Sequence, residues 1–201
     1  MALSYKDTPL LENIEVTKAI KNLSTGKWDC PVKYNGTSLT FSSPRIKFID
    51  GILTFKIHSK KRFIEFLEQL DSVVIDYLHA NSQNIFKGKT FTQERLKNSL
   101  QPQLDIDEDG TVCINAYLDE NAKCFDIYGD QIPLYDIGTD VTATLKVDKI
   151  VFSKDLYRIK YSIVRLKMSK PEKSSATFEE TPVEKKVQKA VSNDDDPFLS
   201  D

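Results

Sequence analysis

Two alternating runs meet at Asp50-Gly51 in RIKFIDGILTFKI, residues 45 to 57, where Phe48 and Phe55 share a face with aliphatic residues and Arg45, Lys47 and Lys56 project from the other. Alternation is the period of a strand and Asp-Gly suits a tight type I′ turn, so the segment predicts a β-hairpin. The period then changes. In KKRFIEFLEQLDSVVIDYLHANS, Phe63, Phe66, Leu67, Leu70, Val74, Tyr77 and Leu78 recur at spacings of three and four, with Glu65, Glu68, Asp71 and Asp76 on the reverse. This predicts an amphipathic helix of about five turns lying on a sheet. A shorter helix is expected at TQERLKNSL, with Thr92 at its cap and Arg95 in its first turn.

Alternation returns in TVCINAYL, KCFDIY, DVTATLKVDKIVF and LYRIKYSIVRLKM. In the last run Tyr157, Ile159, Tyr161 and Ile163 share a face, but Val164, Leu166 and Met168 continue one residue out of step. A bulge near Ile163-Val164 restores the register and bends the strand, as closure of a small barrel requires. The expected fold is mainly β with one long helix: an OB-fold-like Greek-key β-barrel with extra hairpins. It spans residues 1–169. Apolar content collapses after Met168, so residues 170–201 read as a disordered acidic tail, with a nascent helical turn at TPVEKKVQKAV, Thr181 capping and Pro182 first.

The 201 residues are 40% hydrophobic, enough for one cored domain and a tail. There is no run of 18 apolar residues, and residues 1–10 lack the pattern of a secretory signal, so a soluble, intracellular protein without a membrane partner is expected. Cys30, Cys113 and Cys124 are odd in number and form no CxxC pair, and the histidines are His58 and His79. A reducing compartment fits, and neither a disulfide framework nor a zinc site is expected.

The net charge of −2 hides a division along the chain. Val16 to Ile64 carries ten basic residues against two acidic ones, +8; Glu65 to Ala143 carries five against fifteen, −10. Thr144 to Lys170 returns to +6, with eight against two, and the remainder carries four against eight, −4. Two basic segments separated by an acidic one point to nucleic acid or another anionic surface, or to solvated faces.

The candidate chemistry is sparse. DIDEDG places Asp105, Asp107, Asp109 and Gly110 as a calcium loop would, but the twelfth position is Ala116 where a bidentate glutamate is needed, and the flanks read as strands. An exposed hairpin turn is expected there, with no metal. Neither histidine stands in a context that would activate a cysteine, and no GxxxxGK[ST] or GxGxxG occurs. The expectation is a protein without catalysis or cofactor.

Basic and aromatic residues do coincide. Single-strand binders pair a cationic path for phosphates with rings on which bases stack. The candidates are Trp28, Lys33, Tyr34, Arg45, Lys47, Lys56, Lys60, Lys61, Arg62, Tyr157, Arg158 and Lys160, with Trp28 and Tyr34 as exposed platforms. The tail ends in SNDDDPFLSD, whose Asp194, Asp195, Asp196 and Phe198 suit two tasks. Its charge mimics phosphate and would compete for a basic groove, and its ring would dock in an apolar socket with a basic rim on a partner.

NDDDPF resembles the acidic tip of bacterial single-stranded DNA-binding proteins and the acidic aromatic tails of their phage counterparts. NIFKGKTFTQERLKNSLQPQL, followed by KCFDIYGDQIPLYDIGTDVTATLKVDKIVFSKDLYRIKYSIVRLKM, is similar to the C-terminal half of single-stranded DNA-binding proteins from large DNA viruses. The resemblance covers roughly residues 84–169 and the tip. It implies an OB-fold core that coats single-stranded DNA in replication, recombination or repair at a viral or phage replication site, without catalysis, and recruits replication or recombination proteins through the tail. Leu199, Ser200 and Asp201 follow Phe198, whereas the bacterial tip ends on its phenylalanine, so the partner remains open. Homo-oligomerisation is open too. Two rival readings stand beside this one: a protein-binding adaptor working through the acidic helix and tail, and a divalent-dependent nuclease built on Asp105 to Asp109.

Overall fold

The computed structural model describes residues 3–6, 11–153 and 156–170. The expected acidic tail, with Asp194, Asp195, Asp196 and Phe198, lies outside the described residues apart from its first, Lys170. Three short strands come first: β1 (Leu3–Ser4), β2 (Ile14–Val16) and β3 (Ile20–Lys21). β4 (Trp28–Tyr34) turns into β5 (Thr37–Ile49) at Asn35-Gly36, and β5 turns into β6 (Ile52–Lys56) at Asp50-Gly51. Asn35 and Asp50 both have φ of 50°, followed by 71° at Gly36 and 83° at Gly51. Both turns therefore have the paired left-handed backbone of type I′, as predicted for Asp50-Gly51.

Between β6 and the next strand come α1 (Lys61–Ile85) and α2 (Gln93–Ser99). The buried face of α1 includes Phe63, Phe66, Leu67, Leu70, Val74 and Leu78 as the periodicity predicts, and also Ile75, Ser82 and Ile85; Tyr77 is half-buried. With 25 residues α1 makes about seven turns instead of five. In its polar end Asn81 Nδ2 donates to the Tyr77 carbonyl (3.0 Å) and Ser82 Oγ to that of His79 (3.1 Å), and the buried Ile85 keeps this end against the core. The left-handed Lys87 (φ 54°) and Gly88 (85°) follow its end, the Gly88 N–H donating to the Gln83 carbonyl. At α2 the Thr92 hydroxyl accepts from the Arg95 N–H at 3.2 Å, the expected cap.

The remaining strands are β7 (Leu104–Ile106), β8 (Thr111–Ile114), β9 (Ala116–Phe125), β10 (Gln131–Ile132), β11 (Asp140–Phe152) and β12 (Tyr157–Met168). Among the described residues the fold is mainly β, a large mixed sheet with two α-helices. Its pairings close on themselves. β5 pairs with β6 and β6 with β8; β8 runs into β9 across Asn115; β9 pairs with β12 in parallel, β12 with β11, and β11 with β5 again. Inward residues of these strands meet α1. Phe41 of β5 lies 5.2 Å from Phe66 of α1 and 5.7 Å from Tyr161 of β12, ring centre to ring centre.

Three register shifts bend the β5–β11–β12 ladder, one of them leaving Asp148 of β11 over between Val147 and Lys149. The register of β12 against β11 shifts between Arg165 and Ile163, leaving Val164 over, where the sequence predicts a bulge. The third lies in β5, where Thr142 pairs with Arg45 but Thr144 with Ser42. Pro44 sits in this gap, which is why a strand interior tolerates a residue with no N–H to give. The Ser43 hydroxyl takes over the missing ladder contact, accepting from the buried Ala143 N–H at 2.9 Å. Ser43→Ala would strand that donor, and urea unfolding is expected to show a loss of about 1–3 kcal/mol; an unchanged midpoint would mean the hydroxyl contributes nothing there.

Candidate nucleic-acid interface

The outer face of β12 is set by alternation on either side of its bulge. Ile159, Ile163 and Leu166 point inward, so Arg158, Arg165 and Lys167 are exposed and Lys160 half-exposed. The neighbouring strand β9 supplies rings. Lys160 Nζ stands 5.9 Å from the centre of the Tyr117 ring, and the Arg165 guanidinium lies 4.2 Å from that of Phe125. Two cation–ring pairs therefore mark the two halves of the β9–β12 face.

The cations continue across the sheet. Phe125 of β9 pairs with Lys167 of β12, then Thr142 of β11, then Arg45 of β5; the adjacent row runs Lys123, Arg165, Thr144, Ser42. Lys47 lies beyond Arg45 on the same strand. Both bond Asp140, Lys47 Nζ at 2.9 Å and the Arg45 guanidinium at 3.3 Å. Lys47 first, then Arg45, hold the Asp140 carboxyl below its ordinary range. One carboxylate thus serves two cations. Lys123, Phe125, Arg165 and Lys167 are not among the sequence candidates; Arg165 and Lys167 stand in a basic segment, and Lys123 and Phe125 in the acidic one. The inward Cys124 between them is the signal that could have found them.

Beside the start of β12 is an open cleft of about 820 Å³. Arg158, Lys160 and Tyr117 line it together with Ile52 of the β5–β6 hairpin and the carboxylates of Asp105 and Asp107. Tyr117 is 46% and Ile52 48% exposed, so both offer apolar surface to a ligand. The cleft brings Arg158 and Lys160 together, as Asp140 does Arg45 and Lys47.

The other expected residues are dispersed. Lys56 Nζ bonds Asp109 at 2.6 Å and the Thr111 hydroxyl at 2.8 Å, on the edge toward β8. Lys33 is exposed opposite Glu15 of β2. Lys60 precedes α1, and Lys61 and Arg62 are exposed in its first turn, where their charge opposes the helix dipole. Tyr34, expected as an exposed platform, is half-buried and its hydroxyl accepts from Asn13 Nδ2 at 3.1 Å. Trp28 is half-buried as well, under the Lys87 ammonium at 5.1 Å from the ring centre. Tyr157 requires correction: it is 2% exposed and stacked on Phe152 at 5.1 Å. The alternation that exposes Arg158 turns Tyr157 into the core, so its ring is closed to a ligand.

DIDEDG forms the end of β7 and the turn into β8, as expected. The Asp109 carboxylate accepts from the Thr111 N–H at 2.8 Å, and Lys56 is the chief cause holding that acid well below its ordinary range. Among the described residues no three His, Cys, Asp or Glu side chains gather in a way that could hold a metal ion. Burial, first, and the Asp29 charge push the Cys30 thiol up to about 12, which suits a packing residue. No helix among the described residues is long and apolar enough to cross a membrane.

No family model and no curated protein matches the chain. Solved structures of the single-stranded DNA-binding protein from bacteriophage Enc34 are similar to it. The structure in complex with ssDNA is 11% identical, covering 80% of this chain and 97% of that one, with a TM-score of 0.40. Its C-terminal truncation is 11% identical over 82% and 97%, also at 0.40, and a third structure of the protein is 12% identical over 81% and 94%, at 0.36.

Proposed function

We propose that this protein is a non-catalytic, sequence-tolerant binder of single-stranded DNA that coats strands in replication, recombination or repair. The observation that carries the reading is the β9–β12 face, where outward cations stand beside rings along one path: Arg158 and the half-exposed Lys160 with Tyr117, then Arg165, Lys167 and Lys123 with Phe125. Cations placed this way follow phosphates, and a ring face stacks on any base, which gives affinity without sequence preference. The cyclic order β5-β6-β8/β9-β12-β11, with β9 and β12 parallel, supports an OB-fold-like barrel, a scaffold that carries oligonucleotides on its outer strands. Residues 1–169 act as the binding domain. The acidic residues beyond them recruit partner proteins through Asp194, Asp195, Asp196 and Phe198 and weaken DNA binding by charge competition.

Fluorescence anisotropy of a labelled oligo-dT of about 30 nucleotides, long enough for one or more sites, tests this at several salt concentrations with duplex competitor. Binding should favour the single strand, and log K should fall linearly with log salt by about 0.7 per phosphate contact. No binding at low salt, or equal affinity for duplex, would overturn it and leave the acidic face of α1 as the working surface. A chain lacking residues 192–201, titrated in parallel, should bind more tightly at low salt; unchanged affinity removes the competition.

A further inference from the structure

A cavity of about 270 Å³ lies beside the C-terminal end of α1 and the start of the β11–β12 connection, away from the β9–β12 face. Its walls are rings: Trp28 of β4, Phe86 and Phe91 from the segment after α1, and Phe152 of β11. Phe86 meets Phe91 at 5.0 Å and Phe152 at 4.9 Å, both edge-on, so these rings brace one another. The rim is cationic. The left-handed turn at Lys87-Gly88 places Lys87 and Lys89 along the cavity, and Lys21 stands opposite Trp28 in the β3–β4 register. No carboxylate lines it among the described residues.

The occupant must satisfy both features. The volume falls just below the roughly 300–1,000 Å³ of pockets that hold whole small molecules, so a single flat ring system fits better than an extended ligand. The ammonium groups call for an anion close to that ring. A nucleotide carries both on one short tether, whereas an acidic aromatic peptide spreads them over separate flexible side chains that must each be ordered.

We infer that this cavity is a nucleotide-binding site that takes one base against Trp28 and the phenylalanines, with its phosphate on Lys87 and Lys89. Lys87 covers the indole at 5.1 Å from its centre, and an entering base displaces it toward the phosphate. The inference deepens the single-strand reading by adding an anchor beyond the β9–β12 face, but the site is testable without that face.

Trp28 is the single tryptophan of the chain, so its fluorescence reports on this cavity. The full chain is titrated with the 5′-phosphorylated dinucleotide pdTpdT, and in parallel with a DDDPF peptide and with inorganic phosphate. The dinucleotide is expected to quench Trp28 saturably. Lys87→Glu with Lys89→Glu should weaken that quenching about ten-fold or more, a loss on the scale of one stacked, charge-paired nucleotide. Phe91→Leu, which keeps apolar volume but removes a ring, should weaken it too. Arg165→Ala with Lys167→Ala should leave it unchanged even if oligo-dT anisotropy is lost, which separates this site from the β9–β12 face. Absence of quenching by pdTpdT in the folded wild-type chain, quenching insensitive to the lysine reversals, or a response only to the peptide or to phosphate would overturn the inference.

Discussion

Replacing Arg165 and Lys167 together by alanine is expected to weaken oligo-dT binding about ten-fold or more at low salt and to flatten the log K against log salt line by about 1.4, two contacts at about 0.7 each. Both side chains are exposed on the outer face of β12, and Arg165 also lies on the Phe125 ring. Their removal costs phosphate charge and frees a stacking face without touching the core. Stability should therefore stay within about 0.5 kcal/mol of the wild type. A paired change of Lys61 and Arg62 to alanine serves as the comparison, since those cations stand at the start of α1 instead of in the β9–β12 rows. If the two pairs lowered the salt slope equally, the path would not be the β9–β12 face.

A second large effect concerns stability. Asp71 projects from α1 into the region of Tyr157 and Tyr161 of β12. Its Oδ1 and both tyrosine hydroxyls are buried without a hydrogen-bond partner. Burial, first, and then the Glu68 carboxylate push Asp71 up to about 7. The Tyr161 hydroxyl favours the anion but does not meet hydrogen-bond geometry, so it offsets only part of that cost. A carboxyl raised in the folded state favours folding while protonated. That contribution is fully present below its unfolded value near 4 and is lost as pH rises through about 7. Over this window the loss attributable to Asp71 is on the order of 4 kcal/mol.

Asp71→Asn keeps the shape and removes the titration. The stability of the variant relative to the wild type, from urea unfolding at pH 4 and pH 8, should therefore rise by roughly that amount across the window. A difference that stays constant with pH would show that Asp71 is not the titrating group. Acids held low, such as Asp140 and Asp109, change stability in the opposite direction, but they do so equally in both proteins and cancel in the comparison.

Local chemistry made several features legible in the sequence. The Asp50-Gly51 turn, the stripe of α1, the Thr92 cap and the bulge at Val164 each follow from a period or a residue type acting on its own neighbours. The same is true of the outward Arg45, Lys47, Arg158 and Lys160, because alternation decides a face without reference to other strands. What alternation did not decide was whether a ring beside a cation belongs to the surface or to the core. Tyr157 and Arg158 are adjacent, and the sequence reading grouped them; the strand separates them, burying one and exposing the other.

Only the tertiary structure decided which charges share a surface. The parallel pairing of β9 with β12 sets Lys123 beside Arg165 and Phe125 beside Lys167, although some 40 residues separate each pair in the chain. No local period encodes that register, since it is fixed by closing the ladder over a common core. The same closure puts Trp28 within reach of Lys87 and gathers Phe86, Phe91 and Phe152 around one cavity. The sequence by itself therefore determined the elements, their inward faces and the overall balance of charge, because these depend on neighbours a few residues away. The grouping of those charges and rings into sites depended on long-range pairing, which burial of the whole core selects.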